Sequence, residues 1–269
     1  MIGRRGGYVG RVGESLVFGT VASSALVIGA LAGMLVKIPK RVLAAMLAFA
    51  SGALITALAF ELFEDSFEQG GLWRATLGLV AGAVVFTVIS HQLDRLAAAD
   101  GDAEDGSEKL DTDAPASDAA ASPESTSGAA GLALLAAVTL DGVPENIALG
   151  VSLGEGSGGL ALLAAIFVSN FPEALVGSAS MREQGRSNLF VMGTWTACAV
   201  VLVAAVVVGA GPLSAADPET LSLPLAFAAG AVLASLADTL MPEAYEKGGP
   251  AVALSTTAGF VLSFFLATL

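Results

Sequence analysis

The chain alternates between long unbroken apolar runs and short polar connections. A helix needs about 20 predominantly apolar residues to cross roughly 30 Å of hydrocarbon. Eight stretches meet that length, approximately Leu16–Val36, Val42–Phe63, Leu72–Leu93, Gly128–Leu153, Leu160–Met181, Leu189–Gly211, Leu221–Met241 and Pro250–Leu269. None shows the polar/apolar alternation of a membrane barrel strand. The first run is too long for a signal-peptide core, lacks an A-x-A-like cleavage site and leads straight into further spans, so it reads as retained. The predicted fold class is an all-α integral membrane protein of eight transmembrane helices, one domain over residues 1–269, with both termini on the same side.

Composition sharpens that picture. Hydrophobic residues make up 55% of the chain and charged residues 14%, with a mean hydropathy of +0.76. Soluble domains carry nearly twice that share of charge, so an ordinary soluble enzyme is not expected. The 32 glycines suit helices that approach one another closely in lipid. A net charge of −13 argues against a nucleic-acid partner, which needs a basic surface. Cys198 is the single cysteine, so no intramolecular disulfide forms.

Charge placement orients the spans. The connections between spans 1–2, 3–4, 5–6 and 7–8 hold Lys37, Lys40, Arg41, Arg95, Lys109, Arg182, Arg186 and Lys247, whereas the opposite side holds Arg74 and the tail residues Arg4, Arg5 and Arg11. The excess of positive charge on the first set places it in the cytoplasm and both termini outside a cell membrane, against the pull of the three tail arginines. Between spans 3 and 4, residues 98–127 are rich in acids, Ala, Ser and Pro, and read as a disordered cytoplasmic linker. A metal-buffering role for this loop is the competing reading. The stretch has neither His nor Cys to favour it.

Spans 2 and 7 repeat one another. Ala48 to Gly71 reads AFASGALITALAFELFEDSFEQGG and Ala226 to Gly249 reads AFAAGAVLASLADTLMPEAYEKGG, with Ala48, Phe49, Ala50, Gly52, Ala53, Leu58, Ala59, Leu62, Glu68, Gly70 and Gly71 recurring at a constant offset. An odd number of crossings separates the two spans, so they run in opposite directions. This is the pattern of the inverted repeats that build many transporters, with the substrate site between the repeats. The arrangement is 3+2+3, with spans 4 and 5 at the centre.

The central pair carries the costly groups. Span 4 contains Asp141-Gly142-Val143-Pro144-Glu145-Asn146 and span 5 contains Ser169-Asn170-Phe171-Pro172-Glu173-Ala174. An ionised acid at the bilayer centre costs at least ~2.5–3.5 kcal/mol, so three of them cost about 7–10 kcal/mol unless compensated. No Lys, Arg or His lies mid-span to pair with them. Asp141 and Glu145 share a helix face at i and i+4, as do Ser169 and Glu173, with Asn170 on the same side. Each proline lacks an N–H and pushes off the carbonyl four residues earlier, which releases the Leu140 and Val168 carbonyls. Carboxylate, amide, hydroxyl and carbonyl oxygens from two facing helices suit one or two divalent cations. The competing structural reading is a pair of kinked helices whose acids bond to their neighbours.

The doubled motif resembles the twin signatures of the ZIP family of divalent-metal transporters, in which spans 4 and 5 each carry a His-Asn-x-Pro-Glu-Gly-like sequence. The resemblance covers nearly the whole chain, including the eight spans and the long 3–4 loop. It implies that Glu145 and Glu173 bridge metal, that Asp141 and Ser169 stand where the family has histidine, and that Asn170 is the metal-binding Asn of the second motif. Gly142 stands where the first motif has Asn. Asn146 and Ala174 replace the final Gly, and span 6 has none of the acid that joins the second metal position in bacterial members. The expected site is therefore one main metal position built from Asp141, Glu145, Ser169, Asn170 and Glu173. Without imidazole it favours Mn²⁺, Fe²⁺ or Mg²⁺ more than a Zn²⁺ site would.

Outside this pair, Glu61, Glu64 and Asp65 end span 2, and Asp238 and Glu243 lie at the end of span 7. They read either as vestibule acids that concentrate cations or as interfacial acids reaching water. His91 reads as an interface residue, the methionines as packing, and Trp73 and Trp195 as parts of an aromatic belt. The function expected is transmembrane transport of a divalent cation (Zn²⁺, Fe²⁺ or Mn²⁺) by alternating access, without an organic cofactor. The resemblance implies import into the cytoplasm and a homodimer. Two rivals use the same residues: an H⁺- or Na⁺-coupled transporter of another solute, and a membrane sensor whose acidic loop is the output. An enzyme is not expected, since no nucleophile/base pair, HExxH or P-loop motif occurs.

Overall fold

In lipid, a backbone that satisfies its own hydrogen bonds within one segment is the accessible solution for apolar runs of this length. The computed structural model describes residues 3–107, 139, 142–154 and 159–268, and among them there are helices and no strands. Nine α-helices are described: α1 (Gly3–Leu35), α2 (Lys40–Ala57), α3 (Glu64–Ser107), α4 (142–154), α5 (Leu160–Glu183), α6 (Asn188–Val208), α7 (Pro218–Ser235), α8 (Met241–Gly248) and α9 (Val252–Ala267). Five continuous helical stretches are long and apolar enough to cross a membrane: Gly13–Leu35, Lys40–Gln92, Leu160–Ala179, Asn188–Leu213 and Pro218–Ala267. The protein is all-α and membrane-embedded.

Two of those stretches far exceed one bilayer. At 1.5 Å per residue, 53 and 50 residues would run for more than twice the hydrocarbon thickness. Each breaks once, at Gly71 (φ 72°) and at Gly249 (φ 64°), where the left-handed backbone favours a residue without Cβ. These are corresponding glycines of the span 2/7 repeat. Ahead of each break the helix widens into a π-turn, Leu58–Phe63 in one copy and Leu236–Leu240 in the other, and these too begin at corresponding leucines. A third π-turn, Gly209–Leu213, ends α6. Helix α3 runs on to Ser107, so the first part of the acidic stretch continues that helix, and residues 108–138 lie outside the described residues.

Packing does not follow chain order. Helix α2 lies along α9 and α8, α3 lies along α7, and α1 lies along α5 and α6. Small residues allow these approaches, since no hydrophobic force draws helices together within lipid. A Cβ on Gly52 would stand 1.9 Å from the Thr256 carbonyl oxygen, and one on Gly230 would stand 1.9 Å from that of Leu79. Likewise a Cβ on Gly33 of α1 would meet the Leu175 carbonyl of α5 at 2.2 Å, and one on Gly209 the Ile147 carbonyl of α4 at 2.1 Å. The larger apolar cluster joins α2, α4, α5 and α7 through Leu47, Leu149, Ile166 and Leu225. A second, around Trp195, Leu202, Leu26 and Ala174, joins α1, α5 and α6.

Candidate metal centre

Helix α6 serves as a ruler for the two motif helices. Gly142 of α4 faces Leu202, Gly150 faces Val206 and Ala210, and Gly154 faces Ser214, so α4 runs parallel to α6. On α5, Gly177 faces Trp195 and Glu173 lies within electrostatic reach of Cys198, so α5 runs antiparallel to it. The Pro144-Glu145 and Pro172-Glu173 motifs therefore come to the same part of the bundle, between Cys198 and Val206 of α6. Each motif also sits at the seam of the two apolar clusters: Val143 packs with the second and Ile147 with the first, and Phe171 packs with the first and Ala174 with the second.

Burial separates the predicted ligands. Glu145 is 6% exposed, Ser169 and Asn170 are 3% exposed, and Glu173 is half-buried. The Ser169 hydroxyl donates to the Ile166 carbonyl at 3.0 Å, which leaves its oxygen able to accept or ligate. Asn170 Nδ2 has no hydrogen-bond partner. Helix α5 continues through Pro172. Asp141 and Leu140 lie outside the described residues, so the expected i/i+4 pair of Asp141 with Glu145 is described only at Glu145. Among the described residues no three His, Cys, Asp or Glu side chains gather closely enough to hold a metal. The described donors are thus Glu145 and Glu173 with neutral oxygens, a set suited to a hard divalent ion rather than to one seeking nitrogen or sulfur.

One residue of the site region was read in the sequence only as a replacement for the motif glycine. Asn146 is fully buried and its Nδ2 donates to the Gly142 carbonyl at 2.8 Å. The signal for it was present: a polar residue in an apolar span, four positions from a glycine and next to an acid. Beside Gly142 itself, the Leu202 side chain fills the space a larger residue would need, with a Cβ there only 2.8 Å from Leu202 Cδ2.

The acids of spans 2 and 7 are placed differently from one another. Glu61, Glu64 and Asp65 line a cleft of about 370 Å³ together with Ser152, Gly159, Leu160 and the C-terminal end of α9. Glu61 Oε2 accepts the Leu162 N–H at 3.2 Å, tying the first π-turn to the first turn of α5. Ser152 lies seven residues from Glu145 and Leu162 seven from Ser169, so the cleft opens about 10 Å along both helices from the motifs, on the same faces. At the other end Asp238 accepts from Ser90 Oγ at 2.8 Å, and Glu243 forms an ion pair with Lys247. His91 is exposed and Cys198 is a buried free thiol. Trp195 is fully buried against Gly177 instead of lying at a membrane interface, which corrects its reading as a belt residue. No protein-family model matches the chain, and a search of curated proteins finds no match.

Proposed function

We propose that the chain carries divalent metal cations across a membrane, as a divergent protein of the ZIP type, by alternating access. The observation that carries this reading is the burial of Glu145, in the part of an apolar bundle where α5 brings Ser169, Asn170 and Glu173. A buried carboxylate in lipid is stabilised by a cation or a proton, and the surrounding oxygens favour a cation. Asp141, Glu145 and Glu173 supply negative charge, Ser169 and Asn170 supply neutral oxygens, and together they replace part of the ion's hydration shell. The breaks at Gly71 and Gly249 support two crossings in each long stretch, hence eight helices. The matched π-turns and glycine contacts support an inverted 3+2+3 repeat around α4 and α5. Movement of one helix group against the other then exposes the site to either side in turn. Import into the cytoplasm, termini outside and a homodimer complete the proposal, with the metal (Zn²⁺, Fe²⁺ or Mn²⁺ class) as cargo and no organic cofactor.

Uptake into vesicles holding the purified chain tests it. Mn²⁺, Fe²⁺ and Zn²⁺ are offered singly, and Glu145→Gln and Glu173→Gln are each expected to lower uptake by about a hundredfold, since even partners of metal ligands cost 10–100-fold when removed. Unchanged uptake in both variants removes the assignment. Solute uptake driven by pH or Na⁺ without metal would transfer the same acids to a coupled transporter.

A further inference from the structure

Hydrogen-bond accounting around the motifs leaves an open acceptor. Asn146 is 0% exposed, its Nδ2 is committed to the Gly142 carbonyl, and its Oδ1 has no partner. Buried polar atoms are nearly always paired, and this one lies in the same turn as Glu145. Side chains on a helix lean toward its N-terminus, and the bond to Gly142 pins Asn146 in that direction, over the turn 142–146. Pro144 brings no N–H to that turn, so it offers Oδ1 no backbone donor of its own. On the α6 side, the Leu202 isobutyl group faces Gly142 and donates nothing, while Gly150, further along α4, meets the Val206 carbonyl and the Ala210 backbone N–H; Asn146 Oδ1 accepts from none of them. An electron-pair acceptor suits such an oxygen, and Glu145 supplies the charge that attracts one.

We infer that Asn146 Oδ1 is a further ligand of the cation, giving α4 a carboxylate and an amide oxygen from a single turn. The inference rests on the metal-site reading above and deepens it by naming the preference. A neutral carbonyl oxygen in place of nitrogen favours hard ions that accept six or more oxygen donors, Mn²⁺ and Mg²⁺ above Zn²⁺. Leu202 closes the α6 side of the turn, beside Gly142, with an apolar wall.

The test uses the full chain in lipid nanodiscs, titrated with Mn²⁺ and separately with Zn²⁺, for wild type, N146A, N146D and E145Q. N146A is expected to weaken Mn²⁺ binding by about tenfold or more and Zn²⁺ binding by less. N146D, similar in shape and still presenting oxygen, is expected to bind Mn²⁺ at least as tightly as wild type. In metal-minus-apo infrared difference spectra, the shifted side-chain amide carbonyl band of wild type falls in N146A to the share left by Asn170. If E145Q loses binding while N146A stays within about twofold of wild type and keeps that band at its full wild-type intensity, Asn146 is no ligand and the site stands. N146D binding as poorly as N146A likewise overturns the assignment. If E145Q binds Mn²⁺ as wild type does, the site itself fails and the inference falls with it.

Discussion

Two stretches of this molecule, Lys40–Gln92 and Pro218–Ala267, share a backbone plan and differ in chemistry. Both widen into a π-turn at a corresponding leucine, both break at a left-handed glycine, and Gly52 and Gly230 each press on a carbonyl of the other stretch, Thr256 in one case and Leu79 in the other. Each copy thus packs its first arm on the second arm of its counterpart. The contact beside the break is preserved as well: Gly70 sits against Ser222 where Gly248 sits against Ala44. There the likeness stops. At one of these contacts between the copies Ser66 and Ser222 donate to each other's carbonyls at 2.8 Å, and the matching positions at the other contact are Ala244 and Ala44. One copy lines an open cleft with Glu61, Glu64 and Asp65. At corresponding places the other has Thr239, Pro242 and a Glu243 already paired with Lys247. The small residues that set helix separation are shared, and the polar residues at the two ends are not.

The largest effect should come from the shared part. Gly52→Ala and Gly230→Ala each force a Cβ into a backbone carbonyl and are expected to destabilise by about 1–3 kcal/mol or more, to a similar extent. Thermal unfolding of the two variants in detergent reads this directly. One tolerated and one unfolded would break the equivalence of the copies. The unshared acids come next. Replacing Glu61, Glu64 and Asp65 together with amides is expected to slow cation uptake by up to about tenfold at low salt, with the difference fading as ionic strength rises. Asp238→Asn with Glu243→Gln should change the rate by less than about twofold, because those two are already partnered. Equal effects at both mouths would show that the cleft adds no attraction. Ser66→Ala touches stability alone and is expected to cost about 1 kcal/mol for one buried hydroxyl bond, with a coupling to Ser222→Ala in a double-mutant cycle. Additive losses would show that the serine clasp is not a unit.

Much of the site was legible as residue types. A carboxylate beside proline in an apolar run is anomalous in one dimension, so Glu145 and Glu173 are visible without coordinates, and i/i+4 spacing adds Ser169. Asn146 was legible only as a departure from a motif, because its importance lies in an oxygen that finds no donor, and donors come from other helices. The acids Glu61, Glu64 and Asp65 were visible as a group. Their cleft was not, since Ser152, Leu160 and Thr268 reach it from distant parts of the chain.

Hydropathy alone determined that the chain is helical and membrane-embedded, because helix rise and hydrocarbon thickness convert a count of apolar residues into a span. The constant-offset identities likewise announced the repeat. Only the tertiary structure decided that α2 packs on α9 and α3 on α7, that α4 and α5 bring their motifs to the same part of α6, and that Leu202 rather than a polar group faces Gly142. Apolarity specifies that a helix belongs in lipid and says nothing about which helix lies beside it. That choice follows from where glycines and alanines let two backbones close to contact, a complementarity between surfaces that exists only once both are folded.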